Sequence, residues 1–354
     1  MGFIIADGFD DRYWINNDDR YDDIWDGWGL YDSLYDGSDL YYHPEHGGTA
    51  EIGRYGGYAM NLTDDYVSYD YVAIEKAISS GKDWSGGIAV NSLDDDCALA
   101  TFGNATKYGP IIEFDAAGEV VILRNKVGSG TEVVVRSNDA ARLTMNGWIY
   151  VTFEFHVGDA GSDYINVRIN GEQVINKSST TLNFGGAVDN VQFPNTVNAA
   201  DDIWLRDDTS VITPEVRILA MFPNAIGDDA ECTPVGSASN YLNVDEYEQD
   251  FDITYNLVDA GEKDSFNMDA ITAIVSVGIV HALVARFFVK GDAGNTEDLR
   301  PYVIVSSSKY NGTAQSVVEG RYTYIEEIWE TNPDTSLAWT LADLDATQIG
   351  YEAV

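Results

Sequence analysis

Short alternations of apolar and polar residues, separated by turn residues, fill the chain between residues 72 and 211. The clearest of them begins at Tyr164, where Ile165, Val167 and Ile169 alternate with polar residues up to the dipeptide Asn170-Gly171. Asn-Gly favours the positive φ angles of a type I′ turn, and a second apolar run follows it. The pattern predicts an antiparallel hairpin and favours a fold built from hairpins.

The same alternation recurs on both sides of this hairpin. Residues 147–157 are predicted to form one strand whose inward face carries four apolar residues, namely Ile149, Val151, Phe153 and Phe155. Residues 109–125 are predicted to form another hairpin around Asp115-Ala116-Ala117-Gly118. Apolar residues make up 45% of the chain, which is enough for real cores. Regular short strands with these turns are typical of an antiparallel β-sandwich.

The prediction for the whole chain is all-β, with two antiparallel β-sandwich domains at 1–211 and 212–354. Their boundary is expected near 209–216. The strands expected in the second domain lie at 216–225, 241–247, 252–257, 264–268, 271–290, 301–308 and 321–331. One short helix is expected, at about 340–347, and a last strand after it.

The apolar run at 269–290 is long enough to suggest a membrane-spanning helix. His281 and Arg286 interrupt it, however, and β-branched residues dominate it. The sequence therefore predicts one or two buried strands there, with no insertion into a membrane.

Charge excludes two classes of partner. The chain has 59 acidic and 20 basic residues and a formal net charge of −39. Nucleic acid and anionic membranes would both be repelled by the general surface of such a protein. Aspartate dominates the acidic residues, with 40 Asp and 19 Glu, and it favours turns and caps over helix interiors.

The sequence gives little material for catalysis. It has four histidines and none of the common nucleophile, phosphate-loop or zinc-protease motifs. The segment from Glu113 through Asp115 to Glu119 resembles the paired carboxylates of concanavalin-like endoglycanases, but the last Glu comes one residue too late and a glycine turn intervenes. We expect a hairpin with polar edges there, and a protein that is not an enzyme.

Two further groups of residues are candidate binding sites. Asp10 and Asp202, each followed or preceded by another Asp, could hold a structural calcium ion between the start and the end of the first domain; no other cofactor is expected. Trp25, Trp28 and Tyr31 lie among carboxylates and could stack on sugar rings. The alternative for these aromatic residues is packing onto the sandwich or onto a neighbouring subunit.

Scattered motifs resemble those of virion structural proteins from tailed bacteriophages, which carry a concanavalin- or laminin-G-like first domain. The motifs in the first half are Ala6-Asp7-Gly8-Phe9-Asp10, Trp148, Val167-Arg168-Ile169-Asn170-Gly171 and Asp201-Asp202-Ile203. Those in the second half are Arg217-Ile218-Leu219, Phe222-Pro223-Asn224-Ala225, Asn243-Val244-Asp245-Glu246, Tyr322-Thr323-Tyr324, Glu330-Thr331-Asn332-Pro333-Asp334 and Ala338-Trp339-Thr340. The aromatic and acidic region 12–46 departs from the family pattern.

The resemblance implies a jelly-roll protein located in the virion, as a head decoration, fibre or tail component. It implies other virion proteins and further copies of the chain as partners, with a host surface glycan as an additional one, and no shared catalytic residues. Two alternatives stay open. One is a secreted or surface lectin-like protein that binds glycans, and the weaker one is a concanavalin-fold endoglycanase.

Overall fold

The computed structural model describes the following residues: 3–7, 28–31, 60–61, 73–93, 97–104, 107–115, 119–126, 130–137, 148–158, 162–178, 182, 184, 186–194, 197–212, 215–245, 252–292, 298–320 and 322–354. They divide into two compact units, one ending at Ile218 and one beginning at Leu219. Both units consist of antiparallel sheets, which confirms the predicted all-β class and its sandwiches. Among these residues, no helix is long and apolar enough to cross a membrane.

The described residues of the first unit form fourteen strands. They are β1 (Phe3–Asp7), β2 (Trp28–Tyr31), β3 (Met60–Asn61), β4 (Ala73–Gly81), β5 (Asp83–Leu93), β6 (Cys97–Asn104), β7 (Lys107–Phe114), β8 (Val120–Lys126), β9 (Gly130–Arg136), β10 (Trp148–His156), β11 (Tyr164–Ile169), β12 (Glu172–Ser178), β13 (Val188–Pro194) and β14 (Val197–Arg206). One sheet has the order β1-β14-β5-β10-β11-β12, with β3 beside β14. The other has the order β2-β4-β13-β6-β7-β8-β9.

Aromatic side chains fill the space between these two sheets. Phe102 of β6 meets Phe155 of β10 with ring centroids 4.7 Å apart, and it meets Phe153 at 5.4 Å. The alternation predicted for β10 is confirmed, since Ile149, Val151, Phe153 and Phe155 are all buried. Each fully buried aromatic side chain stabilises the sandwich by removing roughly 150–250 Å² from water.

The hairpin predicted around Asn170-Gly171 is also confirmed. β11 pairs with β12, and Asn170 and Gly171 have φ angles of 49° and 83°. The Asn170 side chain accepts a hydrogen bond from the Tyr150 backbone N–H at 2.9 Å, which ties the turn to β10. Glycine at the second position avoids the steric cost that a Cβ atom has at positive φ.

The second unit contains strands β15 (Pro223–Ala230), β16 (Thr233–Val235), β17 (Tyr255–Leu257), β18 (Lys263–Met268), β19 (Leu283–Lys290), β20 (Asp298–Val305), β21 (Ser308–Asn311), β22 (Gln315–Ser316), β23 (Tyr322–Trp329) and β24 (Gln348–Ala353). Its main sheet has the order β15-β18-β24-β20-β21, and β19-β23 and β16-β17 form two ribbons. Leu283 and Ala285 of β19 pack against Val303 and Ile349 of the main sheet. The helix α1 (Leu341–Asp345) confirms the helix predicted near 340–347.

Three sequence predictions in this unit are wrong. The described part of the segment 241–247, residues 241–245, is no strand, because Asn240–Asn243 form a 3-10 helix. The Asn240 and Asn243 side chains donate to the backbone carbonyls of Cys232 and Tyr255, at 2.9 and 2.7 Å, and these bonds hold the turn in place of a strand ladder.

The other two errors concern the limits of apolar runs. Within 271–290, only Leu283–Lys290 is a strand, preceded by a 3-10 helix at Ile271–Ala273. Val277 and Ile279 are 81% and 80% exposed, so that part of the run is not buried. Within 216–225, regular pairing begins only at Pro223.

Candidate binding face

The outward side of three neighbouring strands in the first unit carries a compact set of polar residues. Successive side chains on a strand point to opposite faces, so the residues between the core positions of β10 point away from the core. The register places these residues in three rows across β5, β10 and β11. We call the set the polar face; it consists of Asp83, His156 and Tyr164 in the first row, Ser85, Glu154 and Asn166 in the second, and Gly87, Thr152 and Arg168 in the third.

The first row is held by a His–Asp contact and a stacked ring. His156 Nδ1 lies 2.7 Å from Asp83 Oδ1. The Tyr164 ring stacks on the His156 ring, with centroids 5.9 Å apart and an interplanar angle of 17°. Burial raises the pKa of the Tyr164 hydroxyl, against the opposing effect of a hydrogen bond with Thr209. This row is the accessible edge of the face, because the Asp83 and His156 side chains are 47% and 26% exposed.

The second and third rows share one carboxylate. Asn166 Nδ2 donates to Glu154 Oε1 at 2.7 Å, and Arg168 Nη2 lies 3.6 Å from the same oxygen. Glu154 therefore fixes an amide and a guanidinium group on the neighbouring strand. Such a pair is partly screened, since the Glu154 and Arg168 side chains keep 15% and 21% of their surface exposed.

Four polar atoms of this face are buried without a hydrogen-bond partner in the part of the chain that the structure describes. They are Ser85 Oγ, Thr152 Oγ1, Asn166 Oδ1 and Arg168 Nη1. Ser85 and Thr152 are 0% and 1% exposed. An unsatisfied buried polar atom costs about 1–3 kcal/mol, so such atoms normally mark a bound water or a ligand. These four lie on three adjacent strands, which makes one site.

A short segment after β14, residues 207–212, contacts the outward side of this sheet at three points; we call it the strap. Its first contact is at Arg206, whose Nε and Nη2 donate to Asp208 at 3.2 and 2.9 Å. Its second contact is the hydrogen bond between Thr209 and Tyr164, a residue of β11. Val211 and Ile212 finally pack against Tyr150 and its neighbours on the outward side of the same sheet. The contacts of the strap thus lie on side chains of β14, β11 and β10.

The glycan-binding residues predicted from the sequence lie elsewhere. Trp28 and Tyr31 are the two ends of β2, which is the edge strand of the other sheet, beside β4. Trp25 lies outside the described residues. The prediction for these three aromatic residues therefore stays a prediction.

Of the two residues predicted to bind calcium, only Asp202 lies among the described residues. Asp202 is 1% exposed, and its Oδ1 accepts the backbone N–H of Ile218 at 2.7 Å. Its φ of 51° marks an irregular step in β14, where the pairing with β5 shifts between Asp201 and Trp204. Asp10 lies outside the described residues, so the pair stays a prediction. Among the described residues, no group of three or more possible metal ligands occurs.

The carboxylates of the endoglycanase-like segment hold a hairpin. Asp115 Oδ1 accepts the Glu119 backbone N–H at 3.0 Å, and Asp115 also forms an ion pair with Arg136. Glu119 lies 3.7 Å from the same Arg136 guanidinium. The contacts fit the predicted hairpin with polar edges.

Sequence reasoning missed the polar face, although part of its signal was present. The alternation that identified the inward residues of β10 and β11 also identifies Thr152, Glu154, Asn166 and Arg168 as outward residues. A mixture of hydroxyl, amide and charged groups at successive outward positions of two strands joined in sequence is a recognisable pattern. The contribution of Ser85 required the long-range pairing of β5 with β10.

No protein-family model matches the chain, and no curated protein matches it. Among solved structures, the chain is similar to an endo-β-1,4-glucuronan lyase from the fungus Trichoderma reesei, at 13% identity and a TM-score of 0.33, over 52% of this chain and 98% of that one. It is also similar to a tetrameric galectin from the ball sponge Cinachyrella sp., at 14% identity and a TM-score of 0.30, over 38% and 99%.

A third similar structure is the carbohydrate-binding module CBM40 of the Ruminococcus gnavus IT-sialidase, bound to α2,6-sialyllactose. The identity is 16% and the TM-score 0.27, over 38% of this chain and 75% of that one. Likenesses of this size carry no conclusion about function.

Proposed function

We propose that the chain is a non-catalytic, saccharide-binding protein and that the polar face is its binding site. The observation that carries the proposal is the set of four buried polar atoms without partners on β5, β10 and β11. Sugar hydroxyls both donate and accept hydrogen bonds, so a saccharide could satisfy a carbonyl oxygen, a guanidinium N–H and two hydroxyls at once. The stacked rings of His156 and Tyr164 at the accessible edge offer an apolar surface beside them.

The arrangement of charges supports positioning rather than proton transfer. Each carboxylate of the face already has a partner within it, since Asp83 contacts His156 and Glu154 contacts Asn166 and Arg168. Carboxylates engaged in this way orient neighbouring side chains, whereas a general acid or base needs a free path to the reacting atom.

Binding also requires access to Ser85 and Thr152, which are 0% and 1% exposed, and in this proposal the strap moves to give that access. The observed state is then the closed one, and the apparent affinity is reduced by the fraction of molecules in which the strap is open. A ligand that reaches the two hydroxyls would offset this cost with the hydrogen bonds that they lack in the closed state.

The test is a glycan array followed by calorimetry with the full chain and the variant Thr152→Val. Valine has the shape of threonine without the hydroxyl, so we expect binding to weaken by about tenfold for the one lost hydrogen bond. Folding stability should hold or rise, because the removed hydroxyl has no partner in the closed state.

The matched control is Thr323→Val in the second unit, where Oγ1 is also buried without a partner in the described structure. It should leave saccharide binding unchanged. If no saccharide binds the full chain, or if both variants bind like the original, the proposed function is wrong.

A second candidate function is a structural role in a tailed virus particle. The sequence motifs supply its basis, and one feature of the second unit favours it: Val277, Ile279 and Leu337 are 81%, 80% and 68% exposed. Exposed apolar side chains suit contacts with neighbouring subunits in a particle. Antibody labelling of purified virions tests this role and separates head from tail; particles without label would exclude it. The two functions are compatible in one protein.

A further inference from the structure

Every cation on the polar face has a carboxylate beside it. His156 contacts Asp83, Arg168 lies 3.6 Å from Glu154, and Arg206 at the start of the strap makes two hydrogen bonds with Asp208. The face together with Arg206, which pairs with Ser85, and the strap residue Asp208 therefore carries three positive side chains at most and three negative ones. The rest of the chain adds a strongly negative field, since the formal net charge is −39.

From this charge balance we infer that the polar face takes an uncharged saccharide and excludes acidic ones such as uronic or sialic acids. The inference rests on the proposed function and names the ligand class of the same site. An acidic sugar needs a cation free to bind its carboxylate, typically an arginine with two parallel N–H groups available. Arg168 has its charge balanced by Glu154, and Arg206 directs two N–H groups to Asp208.

The buried atoms agree with a neutral ligand. Ser85 Oγ and Thr152 Oγ1 can each donate or accept, Asn166 Oδ1 can accept, and Arg168 Nη1 can donate. Vicinal sugar hydroxyls match such a mixed set, because each of them also donates and accepts. A carboxylate accepts only, so it would leave the Asn166 carbonyl oxygen without a donor and would lie close to Glu154.

The experiment uses pairs of oligosaccharides that differ only in oxidation at C6, such as a glucose oligomer and the matching glucuronic acid oligomer. Calorimetry with the full chain should give an affinity for the neutral member at least about tenfold above that for the acidic one, the effect of one like-charge contact at the face. The difference should shrink as salt rises from about 0.01 M to about 0.5 M, because the long-range part of the repulsion is screened.

The variant Glu154→Gln removes the carboxylate that balances Arg168, so the ratio of the acidic to the neutral affinity should rise several-fold. Circular dichroism and thermal unfolding report whether the variant is folded. Glu172→Gln is the matched control, because it removes the same charge from an exposed position on β12.

The outcomes separate the two proposals. Tighter binding of the acidic member would overturn the ligand class while leaving saccharide binding intact. A ratio of the two affinities that Glu154→Gln does not change would do the same. If neither member of any pair binds, the proposed function fails and this inference fails with it.

Discussion

The Trp204 indole Nε1 donates a hydrogen bond to the Tyr150 hydroxyl at 2.7 Å, and both side chains are completely buried on the outward side of the sheet that carries the polar face. Trp204 pairs with Gly87 of the third row and Tyr150 lies one row beyond it, and Val211, Ile212 and Val216 pack against the two side chains. The outward side of this sheet thus has an apolar half that fastens the end of the strap and a polar half under its beginning. The apolar contacts of Val211 and Ile212 at its end hold the six-residue strap in one position beside a largely polar surface.

Removing the acceptor in this pair should destabilise the first unit. Tyr150→Phe leaves the Trp204 N–H without its hydroxyl partner in a fully buried position, and we expect a loss of about 1–2 kcal/mol in the free energy of unfolding. Urea denaturation followed by tryptophan fluorescence measures it. Tyr255→Phe, at a 39% exposed tyrosine of the second unit, is the control and should unfold like the original protein. Equal midpoints for the two variants would contradict the assignment.

Gly87 provides the space in which this pair lies. It is paired with Trp204 in the register, and a Cβ atom there would come 2.9 Å from the Tyr150 hydroxyl and closer still to the Trp204 indole nitrogen. Gly87→Ala should cost about 1–3 kcal/mol through overpacking. At Gly278 a Cβ would meet only Val275 Cγ1, at 3.9 Å, so Gly278→Ala serves as the tolerated control. Denaturant midpoints for the two variants should differ accordingly.

Local signals predicted much of this fold. The Asn170-Gly171 turn, the inward residues of β10 and the helix at Leu341–Asp345 each depend on neighbours in sequence, namely turn chemistry, alternation and a cap. The run 271–290 shows where such signals stop. Apolar composition alone does not distinguish a buried strand from a surface segment. In this run Val277 and Ile279, on either side of Gly278, are exposed although both are apolar.

The candidate site needed information that a single sequence lacks. Glu154 and Asn166 are brought together by one hairpin, so their contact follows from the predicted turn. Ser85 and Arg206 come from strands far apart in sequence, and they reach the same face only through the order β14-β5-β10. The strap has no strand or helix pattern, and its position follows from the partners of Asp208 and Thr209.

Loosening the strap should increase saccharide affinity. Asp208→Asn removes the carboxylate that Arg206 holds with two hydrogen bonds, so the strap should open more often. Hydrogen exchange of peptides covering 207–212 should speed up, and affinity should rise because a larger fraction of molecules is competent to bind. Asp259→Asn, at an exposed residue of the second unit, is the control. Weaker binding by Asp208→Asn would make Asp208 a ligand contact instead.

Low pH should open the strap more often, as Asp208→Asn does. The hydrogen bond from the Arg206 side chain, against the opposing effect of burial, holds the pKa of Asp208 below its ordinary value of 3.8. A lowered folded-state pKa means that the ionised carboxylate stabilises the closed strap at every pH above 3.8 and loses this contribution as the pH falls through the lower value. Exchange rates of the strap, corrected for the intrinsic effect of pH, should therefore rise below pH 3.8 in the original protein and not in Asp208→Asn.

The short helix of the second unit depends on its cap. The Thr340 side chain accepts the Asp343 backbone N–H at 3.1 Å, and the Asp343 carboxylate accepts the Thr340 N–H at 2.8 Å. Thr340→Ala should cost about 1 kcal/mol, whereas Thr340→Ser keeps the hydroxyl and should cost much less. Thermal unfolding of the two variants compares them directly. A helix of five residues gains little from propensity, so its cap and the packing of Leu344 in the core carry most of its stability.

Two Tyr–Asp hydrogen bonds on adjacent strands of the second unit differ mainly in burial. The Tyr302 hydroxyl of β20 donates to Asp229 at 2.8 Å and also lies 2.9 Å from the Asp264 carbonyl oxygen; the side chain is fully buried, and burial raises the pKa of this hydroxyl. The Tyr310 hydroxyl of β21 donates to Asp334 at 2.7 Å in an exposed position.

Water can replace the hydrogen-bond partner of Tyr310 but not that of Tyr302, because only the Tyr310 site is open to solvent. Tyr302→Phe should therefore lower the free energy of unfolding by about 1–2 kcal/mol, since the aspartate that accepts its hydrogen bond loses a donor beside a buried ring. Tyr310→Phe should leave the denaturation midpoint nearly unchanged. Urea titrations of the two variants, with circular dichroism as the signal, make the comparison within one sheet. Equal losses would mean that burial is not what gives the Tyr302 hydrogen bond its strength.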